Sequence, residues 1–506
     1  MRSREIQLTL FYKETYCYRG KMIIWGVNRM STFIEYMTIF INKFNWFILY
    51  YVLLINTIYF ILFLVSIRSL YIDRQKNKYW SYEGMIASNY TPPLSIIVPC
   101  YNEEKTIIDN IQALLSLEYG EFELVIINDG SKDQTIEKII DQFDMKKIEM
   151  PYRKKIDTKE IKGIYLSSRY KNMLVVDKEN GGKADALNAG VNIANYPIIT
   201  AIDADSIIER DSLTKVIRPF VEDPTVIVSG GVVRPVNDSV VDKGFIETAR
   251  LPKKNLARFQ TVEYLRAFLF GRLGWGSINA LMIISGAFGV FRKSVVIDAG
   301  GYTENTIGED MELVVKIHEQ MRRNKRRYKI VFVPDPVCWT QVPEKLQILK
   351  SQRKRWHKGL MDSVLNHKKM LFNPRYGVVG LLAMPYYLFV EMIGAPIEII
   401  GYISFFISFW LGLVSLEFFL VFLSVSILYG IFLSMSAILL DEYNFSKYTK
   451  LSEYFLLMLY SVLENFGYRQ LNAWWRFTAF LGYRRKNKQW GEMTRQEFQP
   501  LKKNVK

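Results

Sequence analysis

Residues 44 to 67 read FNWFILYYVLLINTIYFILFLVSI and carry no charged side chain. A bilayer core needs ~20 such residues in a helix, so this run predicts a transmembrane helix over 44–67. Ahead of it lies a basic N-terminal segment, 1–43, with seven Lys/Arg residues and no clear cleavable-signal pattern. RSLYIDRQKNK follows, a cationic flank of the kind found on cytoplasmic sides. With positive charge on both sides, orientation has to rest on more than charge.

A second apolar zone covers 376–483. Residues 376–413 are too long for one straight crossing and contain Glu391, Pro396 and Glu398. The pattern predicts an interfacial helix over 378–392, a span over 395–414 and another over 416–440. Leu451 to Leu463 and Phe466 to Tyr483 form either one long crossing or two shorter pieces, which makes three or four crossings in this zone. A basic tail, 484–506, closes the chain. Glu391, Glu398, Glu464 and Arg469 fall in or beside apolar segments, where ionisable groups usually face protein or water. They are candidates to line a polar path, or they sit at the interface.

Between these zones lies a segment of soluble character, 94–372. Half of all residues are hydrophobic yet 23% are charged, the mixture expected of a soluble domain fused to membrane segments. The net charge of +16 suits anionic lipid or a phosphorylated substrate. Nucleic acid is disfavoured, because neither zinc-finger spacing nor an aromatic RNA-binding motif is present. Cys17, Cys100 and Cys338 lie far apart and make neither a metal spacing nor a disulfide framework, which points to a reducing compartment.

Within 94–372, short β-branched runs alternate with helical patterns. LSIIVP, FELVIIND, MLVVDK and IITAIDAD each end in polar residues, with helical spacing between them over 107–114, 134–143 and 184–194. Such alternation predicts a parallel α/β sheet covered on both faces. Ligands bind beyond the carboxyl ends of such strands, so Tyr101, Glu103, Asp129, Asp177, Asp203 and Asp205 matter most.

Four stretches there have chemical potential, each with an ordinary reading beside it. Asp203 and Asp205, in AIDAD, form a D-x-D pair able to hold a divalent cation with its diphosphate; many such pairs are solvated turns. NDGS, 128–131, is either a turn or a carboxylate placed to accept a base N–H. NGGKADALN, 180–188, is a loop and helix start whose glycines permit unusual backbone angles and whose Lys183 could reach a diphosphate. In GED, 308–310, the acidic residues either stabilise a helix N-terminus or make Asp310 a general base, with a pKa raised by burial or a second carboxylate. A fifth stretch, SQRKRWHKGL, 351–360, borders the apolar zone. It is an interfacial anchor or a site face: on a helix Gln352, Arg355 and Trp356 share one surface, offering donors for phosphate and a flat ring for a sugar.

Taken in order, SIIVPCYNEE, NDGS, GGKADALN, DAD, GED and QRKRW followed by apolar spans closely resemble the membrane-embedded family-2 glycosyltransferases. That family includes the synthases of cellulose, hyaluronan and poly-N-acetylglucosamine. The likeness runs over 45–440, is strongest over 94–365, and is nearest to the poly-N-acetylglucosamine branch in VCWTQVPEKLQILKSQRKRWHKGL. It implies a Rossmann-like GT-A fold with an α-helical transmembrane region. It further implies an inverting transfer from a UDP-sugar, UDP-GlcNAc or UDP-glucose, to a growing polysaccharide, with Mg²⁺ or Mn²⁺ as cofactor. Membrane lipids and an accessory subunit are the other partners implied. The protein would be a multi-pass plasma (inner) membrane protein with a cytoplasmic catalytic domain.

Carried over by motif, Tyr101, Glu103 and Asp129 would cradle the uridine, Lys183 and Asp203 the diphosphate, and Asp205 with Asp203 the metal. Asp310 would be the base. Gln352 and Arg355 would bind the donor diphosphate and Trp356 the acceptor sugar. Gly286, Ala287 and Phe288, in SGAFGVFR, would line the acceptor site with Glu309. Many members have Thr-Glu-Asp where this chain has Gly308-Glu309-Asp310. YRQLNAWWRF, 468–477, lies outside the core likeness and takes no role from it. The motifs leave two rivals: a transferase making a glycolipid on ceramide or a polyprenyl phosphate, and a catalytically silent membrane scaffold.

Overall fold

The computed structural model describes residues 2–77, 91–242 and 244–483, with side chains for 35–76, 91–242, 244–335 and 337–483. The basic tail over 484–506 lies outside them. Two compact units are present, Thr57–Pro396 with Ile427–Lys506, and Met1–Asn56 with Ile397–Ser426.

The larger unit is built on a ten-stranded sheet. Its elements in chain order are β1 (Leu94–Cys100), α2 (Ile107–Leu115), β2 (Phe122–Asn128), α3 (Thr135–Gln142), β3 (Met145–Ile148), β4 (Ile161–Ser167) and β5 (Met173–Lys178). Then come α4 (Lys183–Ile193), β6 (Ile198–Ile202), β7 (Ile207–Ile208), α5 (Ser212–Glu222), β8 (Val226–Pro235), a hairpin of β9 (Val240–Asp242) and β10 (Phe245–Thr248), α6 (Asn255–Arg266), β11 (Phe288–Arg292), α7 (Glu309–Arg323), β12 (Lys329–Thr340) and α8 (Leu346–Asn366). The order across the sheet is β3-β4-β5-β2-β1-β6-β11-β8-β12-β7. β5, β2, β1 and β6 run parallel and β11 lies antiparallel between β6 and β8. The central strands are apolar almost throughout because helices cover both faces, the usual state of parallel strands. Ile96, Val98, Leu124, Ile126, Val175 and Ile202 are fully enclosed.

Register places the site. Cys100 pairs with Asn128 and Asn128 with Asp177, so β1, β2 and β5 end level with one another. Phe288, the first residue of antiparallel β11, pairs with Ile202, the last of β6. Gly286 and Ala287 are thereby brought beside the chain that continues into Asp203.

The apolar segments form helices. A first helix, α1, runs Arg2–Asn77, and its stretch Glu35–Lys76 is long and apolar enough to cross a membrane. The expected 44–67 run lies wholly inside it. Later come α9 (Gly394–Trp410), α10 (Leu416–Phe445), α11 (Leu451–Leu463) and α12 (Tyr468–Leu481). Of these α10 passes the same test; α9 passes it only jointly with the helical stretch Val379–Met392. So among the described residues the second apolar zone offers one or two crossings by length and composition, against three or four expected. The reason is length: α11 has 13 residues, roughly 20 Å at the α-helical rise of about 1.5 Å per residue. Gly467, at φ 107, separates it from α12.

In the smaller unit Ile48, Phe405 and Phe422 pack together, and the Asn45 amide donates to Ser408 at 2.8 Å. Phe406, Trp410, Leu420 and Val421 are exposed there, apolar surface of the kind a bilayer covers.

Of the four charged residues considered as path-lining, Glu464 is completely enclosed and accepts from Arg266 and from the Ser434 hydroxyl at 2.7 Å. It is protein-facing. Glu391 accepts from Tyr386 at 3.0 Å and from Arg476 at 3.1 Å, Glu398 from Tyr402 at 2.6 Å, and Arg469 donates to Asn465 at 2.8 Å.

Candidate active site

The loop after β5 is held from behind by Asp129. This residue, directly after β2, is buried. Its carboxylate accepts from the backbone N–H of Gly181 at 3.0 Å and of Gly182 at 2.8 Å, and pairs with Lys178 at 2.7 Å. Lys178, itself fully buried, also pairs with Asp185. Gly182 caps α4 at φ 87, a backbone conformation open to glycine and strained for side chains. The arrangement delivers Lys183, the first residue of α4, to the ends of the strands. Sequence reasoning expected Asp129 but missed Lys178 and Asp185. The available signal was a lysine closing the short, mostly apolar strand MLVVDK, since a lysine buried there needs paired carboxylates.

Lys183 Nζ lies 2.5 Å from Asp203 Oδ1 and 3.7 Å from Glu309 Oε1. Asp310 turns one oxygen to the Gly286 N–H at 3.1 Å and the other to the Met311 N–H at 2.8 Å. A methyl group added at Gly286 would sit 3.4 Å from both Asp310 Oδ2 and Lys183 Nζ. The DAD, GGK, SGAF and GED stretches therefore converge at one place. Ala287 is half-buried beside it and Phe288 is fully buried, starting β11.

Charge is concentrated here. Burial opposes the ammonium form of Lys183, but Asp203, Glu309 and Asp310 outweigh it and hold its pKa above the usual value. Burial, then the neighbouring Asp203, pushes Asp205 up to about 6. Burial, with Asp310 adding to it against the pull of Lys183, pushes Glu309 up to about 7. Glu309 is thus driven toward neutrality.

The α8 helix reaches the same field. Burial lowers the pKa of Arg355, while Glu309, Asp203 and Asp310 act on it in the opposite direction. Gln352 is buried, with no hydrogen-bond partner for its side-chain oxygen among the described residues. Trp356 stays 45% exposed, and Arg353 stacks on its ring at 4.4 Å. The approach of α8 to α7 is set by two glycines: a Cβ on Gly308 would come within 2.9 Å of the Gly359 Cα, and one on Gly359 within 2.8 Å of the Gly308 Cα.

The first loop is less centred on this cluster. Tyr101 is 43% exposed just past β1. Glu103 is buried, its N–H donating to Thr135 at 2.9 Å and its carboxylate accepting from Thr106 at 3.1 Å. It secures the turn into α2.

Asp203 and Asp205 fit a hard divalent cation. They are two carboxylates close enough for one to raise the other's pKa. Among the described residues no third His, Cys, Asp or Glu completes a cage, which suits an ion that takes its other ligands from phosphate and water.

Residues 95–296 match the family model described as glycosyl transferase family 2, and 198–440 match glycosyl transferase family group 2. The chain carries a family-2 glycosyltransferase domain. It is 32% identical over 267 residues to the poly-beta-1,6-N-acetyl-D-glucosamine synthase of Staphylococcus aureus strain COL, covering 53% of this chain and 54% of that one. To the synthase of the same name from Staphylococcus epidermidis strain ATCC 35984 it is 33% identical over the same share. The chain spans about half the length of the curated relatives it matches. Among solved structures it is similar to a mannosyltransferase from Pyrobaculum calidifontis in complex with GDP-Man and Mn²⁺, at 17% identity and a TM-score of 0.47, covering 84% of this chain and 97% of that one. The chain has a GT-A-like mixed sheet of Rossmann-like topology.

Proposed function

We propose that this glycosyltransferase polymerises a UDP-sugar, UDP-GlcNAc or UDP-glucose, into a β-linked polysaccharide at a membrane. The observation that carries the reading is the convergence of Lys183, Asp203, Glu309, Asp310 and the Gly286 N–H. The names of its relatives support N-acetylglucosamine as the first sugar to test.

In this reading Asp310 takes the proton of the acceptor hydroxyl as that oxygen attacks the anomeric carbon. The Gly286 N–H fixes its carboxylate for the task. UDP leaves on the opposite face, so an α-linked donor gives a β-linked product. Lys183 and Arg355 hold the diphosphate through charge-assisted hydrogen bonds, with Gln352 beside them. Tyr101, Glu103 and Asp129 shape the nucleoside end, through the loops they hold or border. Trp356 offers its open surface to the acceptor sugar, with Gly286, Ala287, Phe288 and Glu309 around the attacking hydroxyl. Asp203 and Asp205 would hold Mg²⁺ or Mn²⁺, which when bound supplies positive charge to the departing diphosphate.

The helices long enough to cross a bilayer support a multi-pass inner-membrane protein with its catalytic unit on the cytoplasmic side, where nucleotide sugars are found. A polar polymer does not cross hydrocarbon unaided, so synthesis at the membrane is suited to coupled export. The test is to purify the protein, offer individual UDP-sugars with Mg²⁺ or Mn²⁺, and measure UDP release with product size. Long chains from one UDP-sugar are expected. A single sugar on a lipid, or no release from any UDP-sugar, would overturn the proposal.

A further inference from the structure

The C-terminal helix α12 has no part in the reaction as drawn above, yet it packs along α8, the helix that carries Gln352, Arg355 and Trp356. Three polar links join them or their surroundings. The Tyr483 hydroxyl donates to Asp362 at 2.6 Å, Arg476 reaches His357 at 3.5 Å, and the Tyr468 hydroxyl donates to Glu263 Oε2 at 2.7 Å.

The third link leads to Trp356. Glu263 Oε2, on α6, also accepts from Arg353 at 2.8 Å. Arg353 is buried, and among the described residues its Nε and Nη1 have no hydrogen-bond partner. Arg353 also meets the Tyr468 side chain directly, and it stacks against the Trp356 ring at 4.4 Å, the i and i+3 pair on one helix face. A guanidinium over an indole face is attractive and planar, so it defines the tilt of the ring. The chain of contacts therefore runs Tyr468, Glu263, Arg353, Trp356, across three helices. Tyr468 is fixed in turn by stacking on Phe259 at 4.9 Å and by enclosure with Leu349 and Trp475.

We propose that Arg353 is a positioning residue for Trp356, and that Tyr468 sets it both directly and through Glu263, which makes α12 a working part of the acceptor site. The inference rests on the reading of Trp356 as an acceptor platform. Arg353 has no contact with donor or acceptor in this scheme. It acts by holding one face of the indole so that the exposed remainder meets the sugar at a fixed angle. Loss of the Tyr468 hydroxyl leaves Glu263 with one donor fewer and frees the pair to shift.

The test uses the full chain in detergent with UDP-GlcNAc and Mg²⁺, with and without an N-acetylglucosamine oligosaccharide acceptor. Variants are Tyr468→Phe, Glu263→Gln and Arg353→Lys, each checked for a monodisperse elution profile. Donor-only UDP release, transfer to water, is expected to stay within about twofold of the parent, while transfer to the oligosaccharide falls roughly tenfold, the scale of a lost hydrogen bond to a charged group. The fall should appear in the KM for acceptor. A second readout needs no turnover: the near-UV circular dichroism of Trp356, taken as parent minus Trp356→Phe, should collapse in Tyr468→Phe and Arg353→Lys. An unchanged Trp356 signal overturns the proposal, as does equal loss of both activities. If the parent releases no UDP, the functional reading fails, and the spectroscopic comparison still decides whether α12 sets the ring.

Discussion

At the scale of single residues, the site is a set of acidic groups held around one lysine. Asp310 is fixed by the Gly286 N–H and lies in the same cluster as Lys183. Asp310→Asn keeps the shape and removes the proposed base, so transfer should fall by about 10²-fold or more with UDP-sugar binding retained. Isothermal titration beside a turnover assay checks this. Glu309 makes a prediction about pH. Its native pKa is pushed from 4.5 up to about 7, so between those values the folded protein binds more protons than the unfolded chain. Stability therefore falls as pH rises from about 4.5 to about 7, by an amount on the order of 2–3 kcal/mol. Glu309→Gln stays neutral and should escape that fall. The melting temperature of the variant relative to the parent should rise from pH 5 to pH 8; a constant difference would disprove the assignment.

At the scale of elements, α7 and α8 touch backbone to backbone through Gly308 and Gly359. This contact sets the distance between the Glu309–Asp310 end of α7 and the Arg355 face of α8. Gly308→Thr would install the residue found in many members of the family, but here its Cβ meets Gly359 at 2.9 Å. The helices would have to separate, at a cost of about 1–3 kcal/mol, so both melting temperature and transfer should drop. Parent-like values in both assays would show that the contact is slack. The elements themselves were largely legible. β1, β2, β5 and β6 follow from apolar runs ending in polar residues, and α4 from the glycine pair before Lys183. Antiparallel β11 was not read as a strand, because FGVFR has neither alternation nor length, and its pairing with β6 is a long-range event.

At the scale of the whole molecule, helices long and apolar enough to cross a bilayer accompany a catalytic sheet of the family-2 kind. The protein should remain in the membrane pellet after an alkaline carbonate wash and enter solution with detergent; release by carbonate alone would contradict transmembrane insertion. Transfer should fall more than tenfold in excess chelator and return with Mg²⁺ or Mn²⁺, since Asp203 and Asp205 are two carboxylates whose shared charge a cation relieves. The polar groups among the apolar helices were visible as residues, but their partners were not. Glu464 reads equally well as path-lining or enclosed until Arg266 and Ser434 are seen beside it.

The sequence by itself determined the alternating sheet, the apolar helices and the acidic, glycine and aromatic stretches, because each depends on short-range periodicity and side-chain chemistry. Only the tertiary structure decided that Lys183 lies between Asp203 and Glu309, that Asp129 is used to hold a loop, and that Tyr468 connects to Trp356 through Glu263 and Arg353. Those are contacts between segments far apart in the chain, and only sheet register and helix packing bring them within bonding distance.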